Sequence, residues 1–222
     1  MGEQQMFDGR PVLQFRTGSD RRTFLKWAGL VGVGAGFVAG GLLGAPTAAQ
    51  AAEIKRDVKA AAKAGGDVDI LNYALTLEYL ESDFYATGLA KGFLSGRELE
   101  LVTPIGDHEK QHVEAVTAAV KALGGTPVEK PKITYPDGTF ASRDSFLKTA
   151  SAFEELGVTA YHGQVPLVQS TDILAAAASI AGVESRHAAV IASLIGGEPF
   201  PNPIEKHADM STVLAAVKPL IS

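Results

Sequence analysis

The sequence contains no cysteine among its 222 residues. That excludes disulfides, zinc–thiolate sites, four-cysteine iron sites and thiol nucleophiles. Methionine is nearly as scarce. Met1, Met6 and Met210 are the only three, and none falls in the long helical segments, so a haem held between helices by methionine is disfavoured. No stretch alternates polar and apolar residues as a half-buried strand does. The spaced glycines Gly32, Gly34 and Gly36 follow no strand and therefore make no dinucleotide-binding loop. A basic excess is also absent: the formal charge is −5. Nucleic-acid binding relies on neutralising phosphates with Lys and Arg, so no nucleic-acid partner is expected.

The first fifty residues stand apart from any fold argument. The run from Asp20 through Arg21, Arg22, Thr23, Phe24 and Leu25 to Lys26 resembles a twin-arginine export signal, with Asp20 where Ser or Thr is usual. A weakly apolar, glycine-rich stretch follows from Trp27 to Gly44, and Ala49-Gln50-Ala51 is a small-x-small site. Residues 1–51 are therefore expected to be a signal peptide cleaved before Ala52 and read by the twin-arginine export machinery. The mature protein would lie in the periplasm, or in the extracellular space or cell envelope. A retained amino-terminal anchor is the alternative, although the stretch is barely long enough to span a bilayer and glycine lowers its hydrophobicity. The twin-arginine route carries proteins that fold first, often around a cofactor. Removing five of the 20 Lys+Arg and three of the 25 Asp+Glu leaves 15 and 22, a formal charge of −7. The remaining chain can bury enough apolar surface to fold without covalent staples.

What remains reads as helix almost throughout. A short amphipathic stretch, Glu53 to Ala64, ends at Gly65-Gly66, so residues 52–66 form a short helix or linker. Asp67 is placed to cap a first long helix over roughly 68–91. Ser95 and Glu98 have the spacing of a capping box and open a second helix that runs to about Leu123, which Pro104 should kink or restart. A third helix runs from about Asp144 to Gly163, and Pro166 kinks or ends it. A fourth runs from Thr171 or Asp172 to about Ile195. The segment between helices two and three, residues 125–142, is rich in Pro, Gly and Thr. It is long enough to travel the length of a bundle: eighteen extended residues reach up to roughly 60 Å, against roughly 36 Å for a helix of about 24 residues. Two antiparallel hairpins joined by one long crossover make an all-α four-helix bundle over residues 67–196. Residues 197–222 form a tail that packs back on the bundle or serves an oligomer contact.

Within this frame one pattern occurs twice. Glu78 is followed by Tyr85 and then by Glu109-x-x-His112; Glu154 is followed by Tyr161 and then by Glu184-x-x-His187. Residues three apart share a helix face, and a step of seven is nearly two full turns. Each unit therefore aims its Glu, Tyr, Glu and His at one place. The neighbours of Glu78 and Glu154 on those faces are apolar, among them Leu71, Ala74, Leu75, Leu147 and Ala150. The fourth helix is apolar almost all round from Ile173 to Val183, as a buried helix should be, until Glu184 and His187 interrupt it. Burying a lone carboxylate costs several kcal/mol. Four that converge must either take up protons or be neutralised, and two divalent cations cancel four negative charges. The expected metal ligands are thus Glu78, Glu109, His112, Glu154, Glu184 and His187, with Tyr85 and Tyr161 beside them. Iron and manganese both accept this mixture of carboxylate and imidazole. His108, one turn before His112, and His162, beside Tyr161, are expected on the surface, with a place behind the ligands as the alternative; Glu114 is expected in solvent, and His207 in the tail is expected to be incidental. Glu81 and Glu155 lie close enough to proposed ligands for a register shift to exchange them.

At these residues the chain resembles the ferritin-like superfamily, and within it the exported family that includes plant desiccation-related proteins. Leu77 to Tyr85 resembles that family's first helix, Phe153 to Tyr161 its third and Val183 to His187 its fourth; the likeness runs from about Asp67 to Gly196. It implies that Glu109 and Glu184 bridge two metal ions, that Glu78 and Glu154 are terminal ligands, and that each metal takes one histidine. Fold does not settle function. The first expectation is two iron ions acting on dioxygen or peroxide as a di-iron oxidase or peroxidase-like enzyme, with the two tyrosines tuning carboxylates or passing an electron. The alternatives are two manganese ions disproportionating peroxide, and a non-enzymatic stress or desiccation-associated protein with a relict site.

Overall fold

A computed structural model describes residues 66–221, which fold into five helices. They are α1 (Asp67–Leu89), α2 (Gly96–Ala122), α3 (Arg143–Gln164), α4 (Thr171–Leu194) and α5 (Met210–Val217). No strand occurs among the described residues; one isolated antiparallel bridge joins Ile133 to Ile221. None of these helices is long and apolar enough to cross a membrane. The expected signal peptide and the short helix over residues 53–64 lie outside the described residues.

α1 packs along α2 and α3 along α4, and the two hairpins meet through α1 with α3 and α2 with α4. The link over residues 125–142 runs along α1, where the Val128 N–H donates to Asn72 (2.8 Å), Lys130 pairs with Asp83 (2.5 Å), and the Tyr135 hydroxyl donates to Asp83 (3.1 Å). The single long crossover between helices two and three is therefore observed. The tail closes over α3. The Ala208 N–H donates to the Thr159 carbonyl (3.0 Å), the Thr134 N–H to the Leu220 carbonyl (2.8 Å), and Val213 and Val217 of α5 are buried.

The helix ends differ from the expectations in instructive ways. Asp67 does not cap α1, which begins at Asp67 itself; its carboxylate instead accepts the N–H groups of Gln169 (2.8 Å) and Ser170 (2.7 Å), tying that end of α1 to the α3–α4 link. Ser95 holds the N-cap position of α2 without a side-chain cap bond, and the Glu98 carboxylate pairs with Arg143, which also donates to the Leu194 carbonyl (2.9 Å). The reciprocal capping box forms one link later, between Ser142 and Ser145. Pro104 neither ends nor restarts α2; the helix continues because its packing face (Val102, Ile105, Glu109, His112, Val116) stays in register across the proline. Pro166 lies just past the end of α3, as expected.

The core has two unlike ends. One is aromatic: the Phe84 ring lies 5.0 Å from Phe146, 4.9 Å from Phe153 and 5.4 Å from Tyr85 between centroids. Phe146 fits because residue 88 is glycine, where an added Cβ would stand 2.1 Å from the ring. The other end is aliphatic, built on Leu71, Ala74, Val116, Val120, Ile173 and Ala181. α4 corrects the expectation of a helix buried all round. Ala176, Ala178 and Ser179 face solvent; alanine favours helix wherever it points, so composition alone says little about which side is covered.

Candidate metal centre

Between the two ends lies a layer of acid and imidazole in which Glu78, Glu109, Glu154 and Glu184 are all 0% exposed. α1 contributes Glu78, α2 Glu109 and His112, α3 Glu154, and α4 Glu184 and His187. All six residues expected as ligands meet here, in two groups. Glu78, Glu109, His112 and Glu184 each offer an atom within 4.8 Å of the others, and so do Glu109, Glu154, Glu184 and His187.

The atoms divide cleanly between the groups. His112 Nδ1 stands 3.3 Å from Glu109 Oε2, 3.4 Å from Glu78 Oε2 and 3.0 Å from Glu184 Oε1. His187 Nδ1 stands 2.9 Å from Glu109 Oε1, 3.5 Å from Glu154 Oε2 and 3.6 Å from Glu184 Oε2. Glu109 and Glu184 thus give one oxygen to each group. Glu78 and Glu154 turn one oxygen inward, and the other accepts a hydrogen bond from a tyrosine: Tyr161 donates to Glu78 Oε1 and Tyr85 to Glu154 Oε1. The crossed pairing follows from α1 and α3 running antiparallel, so that each repeat's tyrosine serves the other repeat's glutamate.

These groups shift one another strongly. Burial, with the neighbouring carboxylates adding, pushes Glu78 and Glu154 up to about 8 against the pull of their histidines. Burial would raise Glu109 as well, but contact with both His112 and His187 wins and brings it down to about 2. Burial would lower the histidines; the carboxylates around them overcome it and lift His112 to about 12 and His187 to about 11. Burial, and next the glutamate each one touches, raises Tyr85 and Tyr161, so both hydroxyls hold their protons.

The donor set fits a pair of cations. Glu78 Oε2, Glu109 Oε1, Glu154 Oε2, both oxygens of Glu184 and His187 Nδ1 are buried without a directed hydrogen bond, although each lies close to others of its kind. Buried polar atoms are ordinarily paired. Here their lone pairs converge instead, in a nitrogen and oxygen mixture that iron and manganese accept. The buried Glu/His groups are compatible with a metal-binding site; they do not distinguish the ion.

Two neighbours, His108 and Glu81, refine the picture. His108, expected on the surface, is exposed, yet its Nδ1 lies 2.9 Å from His187 Nε2 with the two rings stacked. The one-turn spacing from His108 to His112 was the available signal, but its partner sits on another helix. Glu81 is buried and Glu155 exposed. Burial first, then Glu184 and Glu109, pushes the Glu81 carboxyl up. It is accommodated by Gly157, where an added Cβ would meet Glu81 Oε1 at 3.1 Å and Glu184 Oε2 at 3.7 Å. His162 is half-buried against the Val158 carbonyl (2.8 Å), away from the site, while Glu114 and His207 are exposed.

The model of the ferritin-like domain family matches residues 66–197. No curated protein matches the sequence.

Proposed function

The chain belongs to the ferritin-like domain family, and from that premise we propose an exported protein that holds two iron ions on Glu78, Glu109, His112, Glu154, Glu184 and His187. One observation carries the reading: two buried quartets of nitrogen and oxygen donors share Glu109 and Glu184. In this reading Glu78 and His112 would hold one ion and Glu154 and His187 the other, with Glu109 and Glu184 offering an oxygen to each group. Two iron ions held there would supply redox chemistry toward dioxygen or peroxide, and the proposed activity is oxidation of ferrous iron or reduction of dioxygen or peroxide in protection against stress.

The protein's own part is orientation. Tyr85 and Tyr161 each hold the outer oxygen of a terminal glutamate, which fixes where the inner oxygen points. Both hydroxyls stay protonated, so each remains a hydrogen-bond donor to its glutamate. With His187 Nδ1 turned to the carboxylates, its Nε2–H donates to His108 Nδ1, the outer hydrogen bond that orients a ligating imidazole. Export is supported by Arg21-Arg22 and the apolar stretch after them.

The test is elemental analysis of the protein after iron and manganese are offered together, beside a Glu184→Ala variant. About two ions per chain, lost in the variant, support the centre and identify its metal. A wild type that folds as a helical bundle and takes up neither ion overturns the reading.

A further inference from the structure

The two repeats are imperfect copies around the centre, and they differ where a side chain stands directly behind a proposed ligand. Laying Glu109 on Glu184 puts His108 on Val183, and laying Glu78 on Glu154 puts Glu81 on Gly157. In each pair one repeat carries a polar group and the other carries none.

His108 is exposed on α2, with its Nδ1 2.9 Å from His187 Nε2 and the two rings stacked at 5.2 Å between centroids. A two-fold copy of this contact would set residue 183 behind His112, and the valine there can neither donate nor accept. His112 accordingly makes its hydrogen bond at Nδ1, with Glu109, and none at Nε2 among the described residues. Glu81 is 3% exposed, and its carboxyl occupies the space that Gly157 leaves. Its oxygens lie 3.1 and 3.6 Å from the point where a Cβ on residue 157 would stand, and Glu184 Oε2 lies 3.7 Å from the same point. Of the two Glu184 oxygens, Oε2 is turned to His187 (3.6 Å) and Oε1 to His112 (3.0 Å). Both departures from two-fold symmetry therefore fall on the same quartet.

The two departures also act in the same direction. An outer hydrogen bond fixes the ring of a ligating imidazole and raises its basicity, and losing such a partner typically costs about 10–100-fold in metal affinity. An added carboxyl raises the ligand charge, which with rigidity sets the affinity of an oxygen-rich site for a divalent cation. We propose that the two metal positions are unequal: the one on Glu154 and His187 takes the first divalent cation and holds it more tightly than the one on Glu78 and His112. His108 is the positioning residue that makes most of the difference, and Glu81 adds to it. This order of filling rests on the metal reading above.

The experiment titrates manganous ion into the metal-stripped full chain, followed by electron paramagnetic resonance, with ferrous ion under argon titrated alongside by calorimetry. Wild type should bind in two steps at least about tenfold apart, with the signal of an isolated manganese prevailing at one equivalent. His108→Val, which installs the residue found at the matching position, should weaken the first step about 10–100-fold and leave the second unchanged. The magnetically coupled pair then appears already at one equivalent. His108→Gln, whose amide oxygen accepts from His187, should restore the gap in part, a distinction that a merely structural role for an exposed side chain would not make. Glu81→Gln, which keeps the shape, should narrow the gap. Steps of equal affinity in wild type, or steps that His108→Val weakens alike or not at all, overturn the order of filling and leave the metal reading standing. A folded wild type that takes up neither ion overturns both.

Discussion

Loading the centre with metal should expel protons, and the structure sets how many. At pH 7 four of the six proposed ligands hold a proton that an ion must displace: His112 and His187, lifted to about 12 and about 11, and Glu78 and Glu154, each lifted to about 8. Glu109, brought down to about 2, has none to give. Ligation requires neutral imidazole and ionised carboxylate, so filling both positions at pH 7 releases about four protons per chain. At pH 9 the two glutamates have already ionised, and the release falls to about two. The overall binding constant for the pair accordingly rises by about four powers of ten per pH unit near neutrality, and about half as steeply above pH 9. Calorimetric titration of manganous ion into the metal-stripped protein, repeated in buffers of different ionisation enthalpy, reads the proton count directly as a slope. A release below about one proton at pH 7, or the same release at pH 7 and pH 9, would refute the coupled cluster described here.

The same shifts fix how the metal-stripped protein responds to pH. All four raised groups favour the fold most fully below their unfolded values of 4.5 and 6.5, and that stability is lost as pH rises through about 8 for Glu78 and Glu154 and through about 11 and 12 for His187 and His112. With chelator present, scanning calorimetry should show the melting temperature falling from pH 5 to pH 9, and bound metal should reverse the trend. Gly88→Ala would drive a methyl into the Phe146 ring at 2.1 Å and should cost about 1–3 kcal/mol in urea unfolding. Ser142→Ala removes the cap of α3 and should cost about 1 kcal/mol, with metal uptake unchanged.

The site was legible in the sequence because its key relations are local. Glu-x-x-His and Glu-to-Tyr steps are fixed by the helix itself, and their repetition located all six clustered side chains before any packing was known. What escaped was decided by partners far along the chain. Asp67 has the composition of an N-cap, but the N–H groups it accepts from are more than a hundred residues away. Glu98 has the spacing of a capping box, and Arg143 takes it instead. His108 offered no sign that His187 lies across from it, since that contact depends on how α2 and α4 dock. The alanines of α4 fit a buried helix and an exposed one equally well. The bundle and its single crossover followed from helix lengths and one long link, which are likewise properties of the chain taken in order.

The shared glutamates have a consequence for how the two halves of the domain hold together. The first hairpin supplies three side chains of one quartet and lends the other only Glu109; the second does the same in reverse through Glu184. Neither hairpin can assemble a complete quartet alone. In the proposed reading, ion binding and the closing of one hairpin upon the other would be linked, so that whatever strengthens one strengthens the other. A pair of ions held there would act as a clasp, closed only when both halves have found their register.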